Sequence, residues 1–305
     1  QAYLLKNIGD VKISELTTDR VQELYRFLSE RGGKNGRPLA ARTVLKVHQA
    51  LRSALDRAVD WELVARNVAT RAVHPRPERV EFQVLNPAQV EVMIEEIGQT
   101  NPWAETIVFL AFYTGLRRSE LLGLRWLDLD LGRATLSVRR SYHRLDDRSS
   151  VINPPKTARS SRSVALTAST VTRLTMHLAE ARRTAGIMGK KLDENDYLFP
   201  WKDGQPFRPD SVTQVFRRAA KKLGFTRLRF QDTRHTHASL LLLTGAHPKI
   251  VSERLGHASV AFTLDTYSHV LPGLQEAAAD RLDQLMTGTG SIGPSSGTTA
   301  IGKTI

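Results

Sequence analysis

The stretch RFQDTRHTHAS, residues 229–239, sets Arg234 beside His235, with His237 close by and Gln231 three residues before the arginine. An arginine presents a planar fork of N–H donors that matches two phosphate oxygens. A histidine can move a proton or hydrogen-bond an oxyanion. Three other segments hold residues of the same kind. In YTGLRRSELLGL, 113–124, a glycine ends one helix, Arg117 occupies the turn and Glu120 opens the next helix. In PPKTARSSRSVAL, 154–166, Lys156 stands at a hairpin tip from which an ammonium can reach a leaving oxygen. In ERLGHASVAFTLDTYSHV, 253–270, His257 follows a helix-ending glycine and Tyr267 lies ten residues further on. Together these side chains suit work on a phosphodiester. Each also has an ordinary alternative: Arg117 ion-paired to Glu120, Lys156 solvated, His257 a cap or core residue, Tyr267 packed in a core. A zinc site is not indicated, since there is no cysteine and no HExxH spacing.

The elements that must carry these residues are mostly helical. After TTDR, the apolar positions Val21, Leu24, Tyr25 and Leu28 recur at helical spacing. RGGKNGRP breaks the chain before a second long helix from about Ala40 to Leu63, where Val44, Val47, Leu51, Leu55 and Ala58 form the inward stripe. Arg42, Lys46, Gln49 and Ser53 share its other side, either a strip that lies along a DNA backbone or an ordinary solvated face. HPRPERVEFQVL, 74–85, reads as a linker. Asn86, Pro87 and Gln89 then spell a capped helix start, and Asn101 with Pro102 begins another that Gly115 closes. Residues 134–140 and 161–166 alternate as strands that flank a long hairpin-like excursion. Helices follow at about 168–185 and 210–223, the latter with Arg217, Arg218, Lys221 and Lys222 outward. Gly245 and Gly256 end two more, and a last helix spans about 272–285. The tail TGTGSIGPSSGTTAIG reads as a flexible end.

Composition narrows the function classes. A formal charge of +13 and a pI near 10.2 point to a polyanionic partner. Residues 1–85 hold 15 Lys/Arg against 10 Asp/Glu, so +5, which leaves +8 for the remainder: both parts are basic and both can touch one long polyanion. Nucleic acid fits better than membrane, because no segment has an apolar face with basic flanks and no apolar run reaches the roughly 18 residues of a span. The absence of cysteine excludes disulfides and thiolate catalysis. A cytoplasmic protein is expected. The chain starts at QAYLLKNIGD without Met, which suggests a fragment lacking its upstream part.

In order and separation, the four segments resemble the catalytic boxes of the tyrosine recombinases, the phage integrase family. TGLRRSEL resembles the first arginine box, PKTARSSRSVAL the β-hairpin lysine, FQDTRHTHASLLL the second box, and LGHASVAFTLDTYSHV the final histidine-plus-tyrosine box. The likeness covers about residues 84–285, and residues 1–80 resemble the family's helical core-binding domain.

The resemblance implies a mainly α chain with a small antiparallel β-sheet: a helical core-binding domain over 1–80, an α+β catalytic domain over 81–285 and a tail over 286–305. It implies a site-specific DNA recombinase that integrates or excises a phage or mobile element. Tyr267 would form a 3′-phosphotyrosine, Arg117 and Arg234 would clamp the phosphate, His257 would add a hydrogen bond, and Lys156 would protonate the departing 5′-oxygen. Glu120 would buttress the site, while Arg42, Lys46, Arg217 and Arg218 would contact DNA. Neither metal nor any other cofactor is implied. The partners would be double-stranded attachment-site DNA and three further copies in a tetramer on DNA that exchange the helix at about 272–285. Accessory DNA-bending proteins or a directionality factor would join them in a bacterial host, at the nucleoid. Gln231 departs from the pattern, because the family usually has histidine there and glutamine cannot take up a proton at neutral pH. His235, at the next helical position after Arg234, is expected to point elsewhere and not to substitute. A type IB topoisomerase-like enzyme and a catalytically impaired DNA-binding relative are the alternatives.

Overall fold

The computed structural model describes residues 2–78, 82–144, 149–153, 161–267, 279, 283, 286 and 287. Lys156, most of the helix expected at 272–285 and nearly all of the Gly/Ser/Thr-rich tail lie outside the described residues. Two compact units divide the chain, residues 1–81 and residues 82–305.

The first unit is helical: α1 (Ala2–Ile8), α2 (Thr18–Arg31) and α3 (Ala41–Asp60). Thr17 caps α2 by accepting from the Arg20 amide, which satisfies one of the donors a helix start leaves over. Val21, Leu24, Tyr25 and Leu28 of α2 are buried with Val44, Val47, Leu51 and Leu55 of α3, so the two stripes read from the sequence form one core. Tyr25 keeps its hydroxyl satisfied inside that core through His48 Nδ1 at 2.9 Å. Arg42, Lys46, Gln49 and Ser53 lie on the exposed side of α3.

The second unit begins inside the expected linker. Leu85 is buried, and its amide donates to Thr236 Oγ1 at 3.2 Å. α4 (Pro87–Thr100) opens with the expected capping box, Asn86 and Gln89 each bonding the other's backbone amide. α5 (Pro102–Thr114) is apolar on nearly every side and is the central, buried helix. Its Asn101 sits in the cap position but makes no side-chain cap bond. α6 (Arg118–Leu122) follows one tight turn later.

The strands β1 (Leu129–Asp130), β2 (Thr135–Val138) and β5 (Arg162–Ala165) form an antiparallel sheet in the order β1-β2-β5, with Leu136 opposite Val164 and both buried. Between β2 and β5 the excursion folds into a second pair, β3 (Ser141–Arg144) and β4 (Ser150–Asn153). α7 (Ala168–Ile187), α8 (Pro209–Lys222), α9 (Asp232–Leu243), α10 (Pro248–Leu255) and α11 (Val260–Tyr267) complete the unit. Val212, Val215, Phe216 and Ala219 of α8 are buried, and Arg217 and Arg218 are exposed. A mainly helical chain with small antiparallel sheets is the fold class the sequence indicated. No helix among the described residues is long and apolar enough to cross a membrane.

Candidate active site

α5 ends at Gly115, whose φ of 66° is left-handed and open to glycine at little cost. A Cβ there would also lie 2.5 Å from Leu255 Cδ2 and 2.7 Å from His237 Cδ2, so this turn is packed against α9 and α10 as well as twisted. The turn delivers Arg117 to the start of α6, where Glu120 closes it. Glu120 Oε2 accepts from the Arg117 amide and Oε1 from the Arg117 guanidinium, both at 2.8 Å. The ion pair that offered an ordinary explanation of Arg117 is therefore present. It does not consume the arginine, whose side chain stays 40% exposed while that of Glu120 is 7% exposed.

A second arginine, which sequence reasoning did not single out, completes this arrangement. Arg162 at the start of β5 makes a two-pronged pair with Glu120, Nη1 to Oε1 at 3.1 Å and Nη2 to Oε2 at 2.9 Å, while its Nε donates to the Arg254 carbonyl at 2.7 Å. Burial alone would raise the Glu120 pKa, but the hydrogen bonds and charges of Arg162 and Arg117 outweigh it and hold the carboxyl down at about 2.

Arg234 enters from the first turn of α9. That turn is set by Asp232, which is buried and accepts from the Arg229 amide at 2.8 Å and from its guanidinium at 2.9 Å. The Arg234 side chain is itself buried and is aimed by two carbonyls, Gly115 O at 2.9 Å and Leu255 O at 2.6 Å. Burial, together with the like charges of Arg117 and Arg162, lowers its pKa to about 9, with Glu120 and Tyr267 opposing. Three guanidinium groups thus surround one carboxylate, an arrangement that an incoming anion would relieve.

α10 ends at Gly256, again left-handed, and His257 follows. His257 Nδ1 meets Thr263 Oγ1 at 2.7 Å, and its ring lies parallel to that of Tyr267 at 6.4 Å. Burial and the nearby arginines push the His257 pKa down to about 3, so the ring is neutral at pH 7. Tyr267, the last described residue of α11, packs with Ala238, Leu242, Val251 and Leu255, and burial raises its hydroxyl to about 12 against the opposing pull of Arg234.

The structure thus brings Arg117, Glu120, Arg234, His257 and Tyr267 together. Gln231 is exposed at the start of α9, with no side-chain hydrogen bond among the described residues. His235 corrects the expectation from sequence: its Nδ1 lies 2.9 Å from the Tyr267 hydroxyl. It does leave the helix in a different direction from Arg234, but α11 places the tyrosine on that side. His237 is a structural residue. Its Nδ1 donates to the Phe112 carbonyl at 2.8 Å and its Nε2 accepts from Arg254 Nε at 3.0 Å, which ties α5, α9 and α10 together. Among the described residues, no group of three or more His, Asp or Glu is placed to hold a metal ion.

Residues 83–273 match the model of the phage integrase family. The chain is 29% identical to the ICEBs1 integrase of Bacillus subtilis (strain 168) over 291 residues, covering 94% of this chain and 77% of that protein. It is 22% identical to the integrase of Salmonella phage P22, covering 92% and 70%. Among solved structures, it resembles the Tn1549 transposon integrase in complex with a circular intermediate DNA, with a TM-score of 0.74, 21% identity and 92% of both chains covered. It also resembles a lambda integrase tetramer bound to a Holliday junction, with a TM-score of 0.61, 17% identity and 87% and 68% covered.

Proposed function

The chain belongs to the phage integrase family and is a tyrosine-type site-specific recombinase, and from that premise we propose that it cuts and rejoins double-stranded DNA through a 3′-phosphotyrosine on Tyr267. Integration or excision of a mobile element follows from the family. The bond-by-bond chemistry is our reading of the site. The Tyr267 oxygen attacks phosphorus, the bond to the 5′-oxygen breaks, and the DNA is held by its 3′-phosphate. The observation that carries this reading is the convergence of Arg117, Arg234, His257 and Tyr267, from four segments, on one site with excess positive charge.

Arg117 and Arg234 hold the non-bridging oxygens as charge shifts in the transition state. Arg234 is fixed in advance by two backbone carbonyls and so needs little reorganisation. In the tautomer whose Nδ1 accepts from the Thr263 hydroxyl, His257 carries its proton on Nε2 and can donate to the same phosphate. Lys156, between β4 and β5, protonates the leaving 5′-oxygen. The covalent link conserves the energy of the broken bond, so rejoining needs no nucleotide. The first unit, through Arg42 and Lys46, and α8, through Arg217 and Arg218, supply backbone contacts to the duplex. The protein acts on bacterial DNA as four copies, as the lambda integrase on its junction does.

Covalent trapping tests the reading. Nicked duplexes tiled across the DNA flanking the gene are mixed with the protein and run on a denaturing gel. A DNA-linked band that disappears in Tyr267→Phe is expected. A band that persists in that variant removes Tyr267 as nucleophile.

A further inference from the structure

Tyr267 presents a problem that its own position creates. Its hydroxyl is almost fully buried, with a pKa pushed up to about 12, so very little phenolate exists at neutral pH. Attack on phosphorus therefore needs a group that takes the proton as the bond forms, and such a group must lie within hydrogen-bond reach. Gln231 cannot serve, since an amide does not accept a proton at neutral pH and its side chain is exposed.

We propose that His235 is the general base of this recombinase, its Nδ1 accepting the proton of the Tyr267 hydroxyl 2.9 Å away. This inference rests on Tyr267 being the nucleophile. Phe82 fixes the imidazole plane by stacking on it at 4.2 Å with an interplanar angle of 11°, and it meets the Tyr267 ring edge-on at 5.6 Å. One aromatic ring thus orients both partners of the proton transfer.

Burial is the main reason that His235 sits at about 4, and Arg234 and Arg229 add to the effect while Asp232 opposes it. His257, from the turn after α10, also faces it and is neutral at pH 7. Phe82 brings no charge. His235 is therefore an unprotonated imidazole across the neutral range, with Nδ1 available to accept once the ring proton is on Nε2.

The step balances. The proton moves from Tyr267 to His235 as the oxygen–phosphorus bond forms, and the 5′-oxygen leaves with a proton from Lys156. On rejoining, a 5′-hydroxyl attacks phosphorus, Lys156 regains its proton and His235 returns one to the departing tyrosine.

The test is His235→Asn, whose side-chain oxygen can accept the tyrosine hydrogen bond but cannot take the proton. Single-turnover formation of the covalent adduct is measured on the nicked duplexes between about pH 6 and 9, with wild type and Tyr267→Phe alongside and duplex binding recorded for each. We expect a rate lower by roughly 10²-fold or more at neutral pH with binding unchanged. The deficit should narrow as pH rises, because hydroxide begins to replace the lost base, whereas wild type stays flat. A His235→Asn rate equal to wild type reduces His235 to a packing partner and overturns the inference. A faster rate overturns it in the other direction, since the contact would then hold the tyrosine back. In both cases the Tyr267-dependent adduct in wild type leaves the recombinase chemistry standing. Absence of that adduct in wild type removes both.

Discussion

The Glu120–Arg162 pair offers the most exacting test of how the site is built. Both side chains are nearly fully buried, at 7% and 6% exposure, and meet through two hydrogen bonds. The depression of Glu120 from 4.5 to about 2 corresponds to roughly 3 kcal/mol of preference for the charged form, at about 1.4 kcal/mol per unit. Arg162→Met removes the main partner and leaves the buried carboxylate hydrogen-bonded to Arg117 alone, and it also strips the Arg254 carbonyl of its donor. Breaking a buried pair in this way costs about 3–5 kcal/mol. For a unit of this size that is roughly a 10 °C fall in Tm. Urea denaturation of the whole chain, followed by circular dichroism at pH 7, reads the loss directly. The double variant Glu120→Gln/Arg162→Met should recover a substantial part of it, because neither charge is then stranded. A loss below about 1 kcal/mol for Arg162→Met, typical of a solvated pair, would show that the buried pair does not anchor the site.

Glu120 also makes stability pH-dependent. Its folded pKa lies below the unfolded value, so its contribution is present above about pH 4.5 and is lost as pH falls toward 2. His237 acts at higher pH. Burial and Arg254 hold it down at about 4, so the unfolded chain takes up a proton first and stability falls as pH drops from about 6.5 toward 4. Unfolding free energy that is level between about pH 6.5 and 5 would contradict this. Gly115→Ala should destabilise the protein by more than the usual ~1 kcal/mol of a left-handed alanine, since its Cβ lies 2.5 Å from Leu255; an unchanged urea midpoint counts against that packing. Arg117→Ala and Arg234→Ala should each lower cleavage by roughly 10²–10³-fold or more, and a wild-type rate would reduce the residue concerned to a purely structural role. Duplex affinity should fall steeply with salt as counterions are released, and a flat response argues against phosphate contacts.

The sequence carried much of the fold and part of the site, for identifiable reasons. Local signals came through: the Asn86 capping box, the helix-ending glycines 115 and 256, and the apolar stripes of α2 and α3. Such signals act within a few residues, where spacing determines geometry. Arg162 escaped notice because its partner lies 42 residues away, and β5 must pair with β2 before the two meet. His237 read as a candidate for chemistry, yet both of its ring nitrogens are occupied by α5 and α10. His235 was misjudged from helical geometry alone. The angle between neighbouring helical residues was right, but which side of α9 faces the tyrosine depends on where α11 packs.

Everything proposed for the site depends on Tyr267 joining covalently to DNA. The most direct measurement isolates the trapped complex, digests it with protease and nuclease, and identifies the modified peptide by mass spectrometry. The released strand is tested in parallel for labelling by polynucleotide kinase. A nucleotide 3′-phosphate on Tyr267 and a 5′ end that labels without prior phosphatase are expected. A modification on another residue, or a released strand carrying 5′-phosphate, would contradict this chemistry.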